Sequence, residues 1–375
     1  MEKYVGAGPL SGIKIVDLST VVFGPLATMI LADLGAEVIK IESPGRGDVM
    51  RFAGESPTGD LGPIFTALNR NKTSLVLDLN TIEGQTELKT LLCDADVFLH
   101  NIRMRGAQRL GLDFESVRKL RSDIIYVHCA GFGSDGPYAG APAYDDLIQA
   151  AAGYAALAAH GDTEEPKYAP SLIADKTSGL FAAYSTLAAL YDRQRSGRGQ
   201  FVEVPMFECF TFFNMIENLY GRTYEECPGE MSYPRAVAPS RKPYRTRDGY
   251  IGLVPYSTAQ WEAFFAVAGQ PEVMSDPRFA EYKQRTKSIE ELYSIVAEIV
   301  AKRSSAEWLD LLRKVDIPVA RYNTLDDVLR DPHLEAVSMF QQRQHPTAGE
   351  YLSVRHPVRF SAHELSVRSD PNSHT

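Results

Sequence analysis

Residues 12–42 read GIKIVDLSTVVFGPLATMILADLGAEVIKIE. Residues 12–18 alternate into a short buried strand. Residues 19–25 form a turn containing Gly24-Pro25, and 27–34 make an apolar helix that Gly35 closes. Residues 36–42 are a second strand. Strand, helix and strand within about 30 residues make a βαβ unit, which implies parallel strands and a right-handed crossover. The chain is therefore expected to be α/β. Its first turn, Thr20-Val21-Val22-Phe23-Gly24-Pro25, lacks the GxGxxG fingerprint, which argues against a nicotinamide or flavin cofactor.

Outward from this unit the alternation continues. Strands are expected at 74–79, 96–100 and 124–129, with helices at 81–93 and 114–120. Cations recur in the loops that follow strands: Arg46, Arg51, Arg70, Lys72, Arg103, Arg105 and Arg109. Open α/β sheets bind ligands beyond the carboxyl ends of their strands, so these side chains are candidates to converge on phosphates. Taken singly, each reads equally well as ordinary surface charge. The turn cluster 131–137 leads to Tyr144-Asp145-Asp146 and a helix over 147–159, with Asp145 and Asp146 read as helix-start caps.

A second decisive stretch is 170–200, PSLIADKTSGLFAAYSTLAALYDRQRSGRGQ. Asp175 stands where Leu172-Ile173-Ala174 gives way to a helix. Leu180, Phe181, Tyr184, Leu187, Leu190 and Tyr191 recur at helical spacing and read as a buried stripe. The carboxylate of Asp175 is either an N-cap or a nucleophile exposed on a rigid helix start, and the two roles are compatible. A strand over 201–204 and an aromatic helix over 205–220 follow. The stretch 221–242 reads as a linker. A hairpin signal (Arg247-Asp248-Gly249) and helices at 261–268, 289–301 and 305–315 suggest a smaller α+β region. Strand character returns at 352–360, and the last dozen residues are expected to be disordered.

Composition sets the outer bounds. The chain has 375 residues, enough for two domains. A net charge of −9 argues against bulk nucleic-acid binding. No run of 18 apolar residues and no basic-then-apolar leader occurs, so a membrane segment is not expected and the location is read as cytoplasmic. Cys93, Cys129, Cys209 and Cys227 form no CxxC and are read as reduced thiols, mostly packing. The eight histidines show no metal-ligand spacing.

With these elements in place, the chain resembles the family III CoA-transferases, the group of formyl-CoA, carnitine and bile-acid CoA-transferases. The resemblance rests on GIKIVDLSTVVFGPLATMILADLGAEVIKIESPGRGD, ALNRNKTSLVLDL, HNIRMRGAQRLGL, GFGSDGPYAGAPAYDDLIQA, SLIADKTSGLFAAYSTLAAL and RQRSGRGQFVEVPMFE, six blocks in order over nearly the whole length. It implies a Rossmann-like large domain (1–220 with 330–375), a small α+β domain (225–325) and linkers at 221–242 and 323–335. It also implies an interlocked homodimer, and coenzyme A or acyl-CoA as substrate, with no metal and no NAD. By position Asp175 falls on the family's catalytic aspartate. Asn71, Lys72, Asn101 and Arg109 fall on positions lining the CoA nucleotide site, and Tyr144 on an aromatic position near the pantetheine end. Val22 and Ser43 stand where formyl-CoA transferase has a glutamine and a CoA-binding arginine. Its glycine-rich site loop has no counterpart near 235–255, so an acid other than the formyl/oxalate pair is expected.

The implied reaction moves CoA from an acyl-CoA donor to a small carboxylic acid through an anhydride and a thioester on Asp175. Two other functions fit parts of the pattern. A 2-methylacyl-CoA racemase needs a base and an acid astride the α-carbon, but Tyr144 stands where that branch carries histidine, and a phenol of pKa about 10 is a poor base. A non-catalytic CoA-binding protein would use the cations and leave Asp175 idle. For the acceptor, Tyr233, Arg235, Arg241, Lys242, Tyr244 and Arg245 offer an arginine fork for a second carboxylate, as in succinate, or are a solvated linker.

Overall fold

The computed structural model describes residues 8–157, 165–226 and 228–372. The chain divides into two compact units: Met1–Ala152, Ala169–Phe213 and Pro332–Thr375 in the first, Gly153–Tyr168 and Asn214–Asp331 in the second.

In the first unit β1 (Lys14–Leu18), α1 (Phe23–Asp33) and β2 (Glu37–Glu42) form the opening βαβ. They are followed by α2 (Pro63–Leu68), β3 (Lys72–Val76), α3 (Ile82–Asp94), β4 (Val97–His100), α4 (Met104–Arg109), α5 (Phe114–Leu120) and β5 (Ile125–Ala130). After α6 (Asp145–Ala151) come the long helix α7 (Ile173–Ser196), β6 (Gln200–Pro205) and α8 (Met206–Asn218), of which the residues up to Phe213 belong to this unit. The sheet is six-stranded and wholly parallel, in the order β3-β2-β1-β4-β5-β6. Every residue of β4 and β5 is buried, as expected for central strands with both faces covered. The chain builds outward from β1 to β3, then returns to lay β4 on the other side of β1. That reversal opens a crevice between the ends of β1 and β4.

Helix α7 departs from its expected facing. Leu180, Tyr184 and Tyr191 of the anticipated buried stripe are 57%, 53% and 63% exposed. The buried face carries small residues instead, among them Ala174, Ser178, Gly179, Ala182 and Ala183. The reason is the close approach of α1: a Cβ on Gly179 would lie 3.0 Å from the Phe23 carbonyl oxygen and from Leu26. Large side chains would hold the two helices apart.

The end of the chain also differs. The strand expected at 352–360 is Gly349–Val354, paired antiparallel with Phe340–His345. The tail over 366–372 is pinned. Asn71, left-handed at φ 61°, accepts from the Arg368 and Ser369 amides and donates to Asp33. The guanidinium of Arg51 donates to the Asn372 carbonyl, and Asp370 accepts from Arg343 and Tyr351. Polar composition alone hid these anchors, because each partner lies hundreds of residues upstream or in the hairpin. The helix expected over 147–159 ends at Ala151 as α6, with a further turn at Tyr154–Leu157. Residues 158 and 159, like Cys227, lie outside the described residues.

The second unit has a three-stranded antiparallel sheet of β7 (Tyr244–Arg245), β8 (Tyr250–Leu253) and β9 (Val319–Arg321). Its core gathers Trp261, Phe264, Phe265, Leu292, Val296 and Trp308 from three helices. Capping boxes at Ser257/Gln260 and Ser304/Glu307 start two of them. Among the described residues no helix is long and apolar enough to cross a membrane.

Candidate active site

The turn from β1 into α1 is held by side chains from three neighbouring segments. Asp17 accepts from the Ser19 amide and hydroxyl, and Lys40 donates to the Ser19 carbonyl at 2.7 Å. The Asn101 amide spans the crevice, accepting from the Thr20 N–H (3.1 Å) and donating to its carbonyl (2.9 Å). Asp48 accepts from the Val21 amide. Val21 is left-handed at φ 72°, a conformation that a β-branched residue adopts only under strain of about 1–3 kcal/mol. The four surrounding side chains hold it there.

Three of these side chains, Asp17, Lys40 and Asp48, belong to buried ion pairs. Lys40 pairs with Asp48 at 3.0 Å and Lys72 with Asp17 at 3.2 Å, while Arg51–Glu42 and Arg70–Asp33 close at 2.6 Å. The expected cluster of phosphate-binding cations therefore divides. Arg51, Arg70 and Lys72 are buried and matched by internal carboxylates. Arg46, Arg103, Arg105 and Arg109 are exposed. Burial holds Lys72 down to about 8, against the pull of Asp17.

A cavity of about 230 Å³ lies at the crevice, walled by Thr20, Val21, Asn101, Arg103, Tyr144 and Asp175 among others. Asp175 is the third residue of α7 and 7% exposed. Its side chain caps no helix, and no donor among the described residues reaches its carboxylate. Burial first, and then the charge of Asp145, push its pKa up to about 7. Asp145 is not a cap either. One of its oxygens accepts from the Asp175 amide at 2.9 Å and the other from Gln149 at 2.5 Å. This link between the starts of α6 and α7 was invisible in the sequence, where any Asp opening a helix reads first as a cap. The arrangement is a weakly solvated carboxylate whose oxygens meet no donor among the described residues, at the mouth of a crevice.

The expected site residues separate in the same way. Asn101, Tyr144 and Asp175 come together in the cavity. Asn71 and Lys72 are buried beneath, their polar atoms taken by the tail, Asp33, Asp17, Asn69 and the Pro25 carbonyl. Arg109 closes α4 on the surface. In the second unit Arg235 donates to the Tyr293 hydroxyl at 2.9 Å and stacks on Tyr256, and Tyr244 is buried in the core.

Comparison with known proteins gives concordant results. The sequence profile of CoA-transferase family III matches residues 10–375. An acyl-CoA transferase of Fusarium pseudograminearum is 32% identical, covering 97% of this chain and 82% of its own. A succinyl-CoA:glutarate CoA-transferase of Mus musculus is 30% identical, covering 97% and 83%. A CaiB/BaiF family protein from Brucella suis has a crystal structure that superposes with a TM-score of 0.81 at 30% identity, covering 98% of this chain and 97% of that one.

Proposed function

The chain belongs to CoA-transferase family III and is a CoA-transferase, and on that premise we propose that Asp175 is the nucleophile that carries the acyl and CoA groups in turn. One observation carries the reading: Asp175 is a buried carboxylate whose oxygens meet no donor among the described residues, facing a cavity at the sheet's switch point. Poor solvation raises its basicity, and a more basic carboxylate is a stronger nucleophile once ionised.

A carboxylate oxygen of Asp175 bonds to the thioester carbonyl carbon, the C–S bond breaks, and CoA leaves as thiolate. The thiolate then bonds to the Asp175 carbonyl carbon of the mixed anhydride and releases the donor acid as carboxylate. The acceptor carboxylate attacks the aspartyl thioester, and the freed thiolate takes the new acyl group and restores Asp175. Electrons balance without a redox partner, and no net proton moves. Both activated intermediates are hydrolysed if water enters, which suits a carboxylate held at 7% exposure. The donor and acceptor acids are carboxylic acids, and the name of the mouse relative brings small dicarboxylates into the panel to be tested.

We propose that Asn101 and Tyr144, on the same wall, bind the CoA arm, that the exposed Arg109 contributes to the nucleotide end, and that Asn71 and Lys72 do so only after their present bonds rearrange. Asp175→Ala should abolish transfer from succinyl-CoA to any acid while CoA still binds. Trapping wild type with hydroxylamine during turnover should place the adduct on the peptide containing Asp175. Undiminished transfer in the variant would sink the assignment.

A further inference from the structure

The cavity at Asp175 shares Asn101, Arg103, Cys129, Ala130, Gly131 and Ala141 with a second cavity of about 250 Å³ at the ends of β5 and β6. His128 and Glu203 stand at its wall. Nε2 of His128 lies 3.1 Å from the Ile102 carbonyl oxygen, which only accepts, so that nitrogen bears the hydrogen. The ring is 6% exposed and stacked on His100 with centroids 4.9 Å apart. Burial lowers its pKa, against the pull of Glu203, so the ring is neutral and Nδ1 is a bare lone pair. Nδ1 has no hydrogen-bond partner among the described residues.

Facing it at 3.8 Å is Oε1 of Glu203. The other oxygen of Glu203 is occupied, accepting from the Ser134 amide (3.1 Å) and hydroxyl (3.0 Å). Two acceptors thus meet across one gap with no donor between them. A buried acceptor left unmet is unfavourable, and two acceptors in line repel. Phe132, Phe201 and Met104 add apolar wall, and Arg103 and Asn101 line the side shared with the Asp175 cavity. The pocket matches an apolar chain ending in a hydroxyl or amino group, and Glu203 disfavours a second carboxylate.

We infer that this cavity is the specificity subsite for a carboxylic acid that carries an O–H or N–H donor along its chain, the donor seated between Nδ1 of His128 and Oε1 of Glu203 while its carboxyl end faces Asp175. The identity of the ligand as an acid rests on the CoA-transfer reading.

The test uses full-length protein labelled with ¹⁵N-histidine, titrated with 4-hydroxybutyrate, 4-aminobutyrate, butyrate and CoA. The His128 Nδ1 resonance should move upfield with the two donor-bearing acids and stay in place with butyrate and with CoA. Their affinity should exceed that of butyrate about tenfold, the increment of one hydrogen bond. In Glu203→Gln the new side-chain amide donates to Nδ1 itself. That variant should show the shifted resonance without ligand, and the preference should disappear. His128→Phe, which keeps a stacking ring, should also lose the preference. An equal response to butyrate, no response to any acid, or the whole shift with CoA alone overturns the subsite. Asp175→Ala should keep the shift and lose transfer. A wild type that binds the acids here yet transfers CoA to none of them would instead separate this site from the acceptor of CoA transfer.

Discussion

Asp175 has to be buried to keep water from its intermediates and ionised to attack. A folded pKa of about 7 sits between these demands. The acid limb of kcat/KM should therefore fall near pH 7, read from a pH–rate profile of the free enzyme. The same shift has a stability consequence. An unfolded Asp ionises near pH 4, whereas the folded one keeps its proton until about 7. The folded state binds more protons across that window, so this group's contribution is fully present below about pH 4 and is lost as pH rises through 7. Asp175→Asn should remove the slope and raise stability at pH 8 by on the order of 2–4 kcal/mol. Denaturant titrations at pH 5 and 8 check this: equal stability differences at both would refute it. Asp145→Asn retains an oxygen for the Asp175 amide but removes the charge. The acid limb should then move to lower pH, and an unmoved limb would show that the charge of Asp145 is irrelevant.

Helix α1 owes its position to small residues at its contacts. At Gly24 a Cβ would lie 2.4 Å from Ser19 Cβ and 3.2 Å from Leu99, and Ser19 is itself tied to Asp17. In Gly24→Ala the helix gains up to about 1 kcal/mol of propensity and loses about 1–3 kcal/mol to overpacking. A net loss of about 1–2 kcal/mol is expected, with kcat reduced more than CoA affinity because the Thr20–Val21 turn is displaced. Chemical denaturation and kinetics of the variant decide, and an unchanged kcat would separate the turn from catalysis. The face of α7 that carries Leu180, Tyr184 and Tyr191 shows how periodicity alone misleads. It marks an apolar face correctly, yet the neighbouring helix selected the alanine and glycine face for its closest contact.

Across the first unit, segments remote in sequence are joined by single polar side chains. Asn71 ties β3 to the tail through bonds to Asp33, Arg368 and Ser369 in a backbone conformation that alanine resists. Asn71→Ala should cost about 2–4 kcal/mol, from the lost bonds and left-handed strain. Removing residues 366–375 should lower Tm similarly, and the two changes together should add less than their sum. Full additivity by calorimetry would mean that Asn71 does not act through the tail.

Residues 12–42 contain enough to establish the architecture, since a βαβ pattern with short connections leaves few topologies open. The six ordered blocks point to the family. Asp175 is legible as a candidate because a carboxylate opens a long helix of small residues. The sequence could not show which charges are spent inside the protein. Arg51, Arg70 and Lys72 read like Arg46 and Arg103 until their distant carboxylate partners are brought beside them. Nor could it show that Asp145 meets the Asp175 amide, that His128 faces Glu203, or that a polar tail is anchored. Local periodicity is written in neighbouring residues and survives in the linear chain. Desolvation and hydrogen-bond pairing depend on groups tens to hundreds of residues apart, and only the folded chain decides them.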